Sequence, residues 1–137
     1  MFPLLDLFRG IPMSREEFER IKAFFDGMSF YMALSKLRAI SRDPTEYIRS
    51  LERVAAIEGK HPETLLLEEI DMYLEMIEKI LDYIPHEVRE AEELRGNLIE
   101  HLSRIREYVV GGEWSRLSME INELDRFIFR RVLPRIG

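Results

Sequence analysis

Residues 85–134 read PHEVREAEELRGNLIEHLSRIREYVVGGEWSRLSMEINELDRFIFRRVLP, and their punctuation decides the fold. Before the Gly111-Gly112 pair, Leu94, Leu98, Leu102 and Ile105 recur at steps of three and four. After it, Trp114, Leu117, Ile121, Leu124, Ile128 and Val132 do the same. That period puts each set on one stripe of an α-helix, whereas a strand would alternate at every second residue. Two amphipathic helices joined by so short a break are expected to pack side by side and antiparallel. Leu98, Leu102, Ile105, Leu117, Ile121 and Leu124 are the expected centre of the core.

The same punctuation extends toward the N-terminus. Pro62 opens a segment that runs to Ile84, with Leu66, Ile70, Tyr73, Ile77 and Ile80 on its apolar side. Asp43 and Pro44 form a cap followed by proline at the first helical position, and Gly59 stops the helix they start. Ser14 and Glu17 have the spacing of a capping box. The stripe after them is Phe18, Ile21, Phe24, Phe25 and Met28, and Gly27 either interrupts that helix or is carried within it.

The reading is an all-α, antiparallel helical bundle of five to seven helices. Helices are predicted near 15–40, 44–58, 62–84, 86–110 and 113–133. The 137 residues form one helical domain, with 1–13 an N-terminal segment packed on the bundle or extending from it.

Composition narrows the function classes. Hydrophobic residues make up 46% and charged residues 34%, which suits a folded globular chain. The absence of cysteine removes disulfides, thiolate metal sites and cysteine nucleophiles. No apolar run reaches the roughly 20 residues that span a bilayer, and the start MFPLLDLFRG lacks the basic flank of a signal peptide. A cytoplasmic protein without membrane contact is expected. With no glutamine, 20 Glu and 16 Arg, the chain leans toward a thermophilic composition. The net charge of −6 argues against general nucleic-acid binding, which draws on cation–phosphate contacts.

Four groups of residues carry candidate chemistry. Asp71, Glu75, Glu78 and Asp82 share a helical face, where each like-charge neighbour costs about 0.2–0.5 kcal/mol. They are a solvated face or an alternative metal site for a hard cation. The all-α nucleotide pyrophosphohydrolases pair an E-E-x-x-E run with a later E-x-x-D, but Met72 stands where Glu68-Glu69 would need its third glutamate. Glu58 and His61 have E-x-x-H spacing without the second motif that di-iron bundles require, so they read as a helix end.

Arg95-Gly-Asn-Leu-Ile-Glu-His101 resembles the active motif of the HEPN ribonucleases, small helical proteins that dimerise and cleave RNA without metal. The resemblance covers seven residues. It implies proton transfer by His101, phosphate stabilisation by Arg95 and a polar helper in Asn97. Gly96 departs from the polar residue that usually follows the arginine. Six residues also turn an unbroken helix by about 600°, leaving Arg95 and His101 about 120° apart. His101 itself falls on the leucine stripe, where a core or interface role is the simpler reading.

The last group lies at the C-terminus. Phe127, Phe129, Arg130 and Leu133 add apolar surface and arginine around the final stripe, the composition of a protein interface. The sequence therefore points to a non-catalytic helical interaction module without a cofactor. Its partner is a protein: a second copy in a homodimer, or a larger complex to which it is a small subunit. The alternative is a HEPN-like metal-independent ribonuclease using Arg95 and His101.

Overall fold

A computed structural model describes residues 14–136. Among them the chain is all-α, with five α-helices and no strand: α1 Arg15–Arg42, α2 Pro44–Glu58, α3 Pro62–Glu78, α4 Ala91–Val110 and α5 Trp114–Phe127. The expected N-terminal segment 1–13 lies outside the described residues. None of the described helices is long and apolar enough to cross a membrane.

Both N-caps expected from the sequence form through the side-chain oxygen of the cap residue. The Ser14 hydroxyl oxygen accepts the Glu17 amide at 3.1 Å, and the Asp43 carboxylate accepts the Glu46 amide at 3.1 Å. Each supplies an acceptor to an amide that the first turn leaves without one. Gly27 does not interrupt α1, which is continuous from Arg15 to Arg42. Gly59 ends α2 at φ 70°, a left-handed conformation in which a side chain would be strained, and Lys60 donates its amide to Ala55.

Two predicted helices are shorter than expected. The segment through Ile84 stays α-helical only to Glu78 and then tightens into a 3₁₀ turn, Lys79–Tyr83. Residues 86–90 are turns rather than the start of α4, because Val88 bonds Pro85 and Ala91 bonds Val88, three residues back instead of four. Pro85 forces this. It holds Ile84 in extended backbone and has no amide to continue a helix. After α5 the chain widens into a π-turn, Ile128–Val132, and closes with a 3₁₀ turn, Leu133–Arg135.

Helices α4 and α5 pack across Gly111–Gly112, α3 lies against α2 and α4, and α1 crosses α3 and α5. Arg104 and Glu120 pair at nearly equal distances in sequence from the Gly111–Gly112 turn, so α4 and α5 fold back on each other, and Arg106 ties α4 to Asp71 of α3. All six expected core residues, Leu98, Leu102, Ile105, Leu117, Ile121 and Leu124, are buried in one cluster with Leu66, Ile70 and Ile77.

The stripe expected on the first helix needs correction. From α1 the core takes Phe30, Ala33, Leu34, Leu37 and Ile40. Phe24 and Met28, expected on the buried face, are 64% and 55% exposed. The helix carries two apolar stripes, and α3 and α5 cover only the one that begins at Phe30.

Candidate functional site

The α4–α5 seam holds one buried charge. Glu120 is 6% exposed and occupies a stripe position between Leu117, Ile121 and Leu124. A carboxylate there is costly unless it is hydrogen-bonded and paired. His101 Nδ1 lies 2.7 Å from its Oε2, and the Arg104 guanidinium donates to Oε1 through Nε. Because an ionised carboxylate only accepts, the first contact places the histidine proton on Nδ1. Arg104 Nη2, 3.2 Å from the same nitrogen, then stands beside it without donating to it. The Glu120 hydrogen bond raises the Arg104 pKa against an opposing effect of burial. Phe127 closes the cluster, its ring centroid 5.1 Å from that of His101.

Chemically this is an imidazole oriented by a carboxylate, pinned between two helices. His101, Glu120 and exposed Glu123 each offer a ligand atom, all within 4.8 Å of one another. They are the donor set from which a metal could be held. Arg104 already supplies positive charge to Glu120, so the carboxylate is satisfied by the protein itself.

Arg95 does not join this cluster. Helix α4 is unbroken at Gly96, and Arg95 donates from Nη2 to the Ile84 carbonyl at 3.2 Å, with Glu92 beside its other terminal nitrogen. It ties α4 to the 3₁₀ turn before Pro85. Asn97 is half-buried on the same helix. The three residues of the HEPN-like motif are thus not brought into one site.

The acidic row lines two shallow grooves that share Glu75 and Glu78. Arg106 of α4 donates to Asp71 from Nε at 3.0 Å. Glu75 and Glu78 line a shallow groove between α3 and α4 with Ile99 and Ser103. Asp82 sits in the 3₁₀ turn and lines the second groove with Glu75, Glu78 and Lys79.

At the C-terminus, Phe127 and Leu133 pack against the core, while Phe129 is 43% exposed under the Arg38 guanidinium at 5.2 Å. Arg130 is exposed. Part of the apolar surplus expected at an interface is spent inside the chain.

Among the described residues, α1 carries an exposed apolar face. Phe24, Met28, Tyr31 and Met32 are 64%, 55%, 56% and 44% exposed. At about 100° per residue they span an arc of about 100° on the side away from Phe30, Leu34 and Leu37. Phe24 and Met28, at a four-residue step, belong to the apolar stripe that the sequence marks on this helix.

The chain matches no protein-family model, no curated protein and no solved structure.

Proposed function

We propose that the protein is a non-catalytic helical interaction module that binds an apolar helix of a protein partner through the outward face of α1. One observation carries this reading: α1 is apolar on two opposite sides, and among the described residues the other helices cover one of them. A helix that is apolar on most sides is normally buried on most sides. A contiguous exposed apolar patch on a folded protein marks an interaction surface. Facing helices recognise such a stripe through side chains spaced at three and four residues. The arrangement of α4 fits this reading, since Arg95 and His101 each serve a structural partner. A cytoplasmic setting, suggested by the sequence, belongs to the same proposal.

Methionine oxidation tests it. Met28 and Met32 lie on the proposed contact surface, while Met119, 64% exposed on α5, lies off it and serves as internal control. Mild peroxide should oxidise all three readily in dilute purified protein. In extract of the cells that make the protein, Met28 and Met32 should be protected relative to Met119. Equal oxidation of all three under both conditions would overturn the reading.

A further inference from the structure

The outward stripe of α1 has an internal symmetry. Ile21, Phe24, Met28, Tyr31 and Ser35 follow one another at steps of three, four, three and four, the seam spacing of a coiled coil. Continued in both directions, the same rule reaches Glu17 at one end and Arg38 and Arg42 at the other. The midpoint lies between Ser29 and Phe30. About that point Met28 mirrors Tyr31, Phe24 mirrors Ser35, Ile21 mirrors the aliphatic stem of Arg38, and Glu17 mirrors Arg42.

A second copy of α1, turned end for end, therefore meets the first with complementary layers. A thioether faces a phenol ring at the centre. A phenylalanine faces a serine on either side, large against small. At both ends a carboxylate faces a guanidinium. Each pairing occurs twice, as a closed two-fold contact requires. A parallel arrangement would set Glu17 against Glu17 and Arg42 against Arg42. Both charges are exposed, and among the described residues neither side chain has an ion-pair partner. By contrast, Arg38 is already held by Asp125 and stacked on Phe129 at the edge of the stripe.

We infer that the partner of the outward α1 face is the same face of a second copy of this chain, docked antiparallel and clasped at both ends by Glu17 and Arg42. The inference rests on the interaction reading above and specifies its partner. The helix already stands in position on its own bundle, so the contact needs no refolding. Its affinity comes from Phe24, Met28, Tyr31 and Met32, and its direction comes from the charges.

Sedimentation equilibrium of wild type, Glu17→Arg and the double variant Glu17→Arg/Arg42→Glu tests the direction, with circular dichroism checking that each is folded. The wild type should dimerise. The single reversal should weaken the dimer about tenfold, because two attractive pairs become repulsive. The double reversal should restore it. Equal weakening of both variants, or no weakening of the first, overturns the antiparallel register. The cysteine-free chain also allows a direct geometric check. Ser35→Cys should not crosslink to itself but should crosslink to Phe24→Cys; self-crosslinking of Ser35→Cys overturns the inference. A wild type that stays monomeric while Met28 and Met32 are protected in extract overturns the second-copy assignment alone. A dimer unaffected by Met28→Glu places the self-contact elsewhere and overturns the second-copy assignment.

Discussion

Glu120 Oε2 and His101 Nδ1 meet at 2.7 Å across the seam between the last two long helices, inside an otherwise apolar interface. With Arg104 on the other oxygen, the carboxylate has its acceptor sites occupied although it is almost completely buried. The pair fixes how α4 and α5 sit against each other, because leucine contacts alone tolerate small slides that a two-point hydrogen-bonded contact does not.

Glu120→Gln should therefore destabilise the protein by about 1–3 kcal/mol, since a neutral amide cannot accept from both His101 and Arg104 as the carboxylate does. Urea denaturation monitored by circular dichroism measures it. A change below about 0.5 kcal/mol would show that the buried charge contributes no net stability.

Ile121→Ala should cost about 2–5 kcal/mol, because the side chain is fully buried in the core cluster and its removal leaves a cavity. The same denaturation experiment reads it, and a loss under about 1 kcal/mol would contradict the packing of α5.

A polar cluster between α1 and the 3₁₀ turn makes stability depend on pH. Tyr83 donates its hydroxyl to Asp26 at 2.6 Å, and Lys22 donates to the same carboxylate oxygen at 2.9 Å. Burial alone pushes the Asp26 pKa up, but the Tyr83 and Lys22 hydrogen bonds outweigh it and hold it below the ordinary 3.8. Its contribution is therefore present above pH 3.8 and is lost as pH falls through the depressed value. Tyr83 moves upward from 10.0, through burial and then the Asp26 hydrogen bond, so its contribution is present below pH 10 and is lost above it. Asp26→Asn should cost about 1 kcal/mol at neutral pH. Its deficit against wild type should shrink at acid pH, as thermal denaturation across a pH series will show. A deficit that stays constant down to complete protonation would rule out this linkage.

Metal-free RNA should not be cleaved in a way that depends on His101. A general acid or base must reach the proton it moves, directly or through one water. Here the motif's two residues are not assembled: His101 lies in the α4–α5 seam, only 14% exposed and with its ring against Phe127, while Arg95 is held at the Ile84 carbonyl. RNA degradation by wild type is compared with that by His101→Ala. Robust cleavage lost only in the variant would restore the ribonuclease alternative.

Local chemistry made much of the fold legible. Ser14, Asp43, Pro44, Gly59, Pro62 and the Gly111–Gly112 pair act on the backbone within a few residues of themselves, so reading them located most helix ends. The failures near 79–90 are local too, but they depend on competition. Pro85 favours an extended residue before it and withholds an amide after it, and the chain answered with 3₁₀ turns instead of a prompt helix start. Glu120 was legible in principle, as an acid on an apolar stripe facing a histidine on the neighbouring stripe. Its significance emerges only when the two helices are placed together.

What the sequence by itself determined was the set of helices, their caps and the stripe of each short one, because propensity, capping and period are properties of neighbouring residues. It could not choose between the two apolar stripes of α1. Phe24 and Phe30 are both large, apolar and well spaced, and no local energy separates them. The choice belongs to tertiary structure. Helices α3 and α5 arrive on the side of Phe30, Leu34 and Leu37 and exclude water there, leaving Phe24, Met28 and Tyr31 outward. Burial is a relation between elements far apart in the chain, so only their packing decides which of two equivalent faces becomes core and which remains surface.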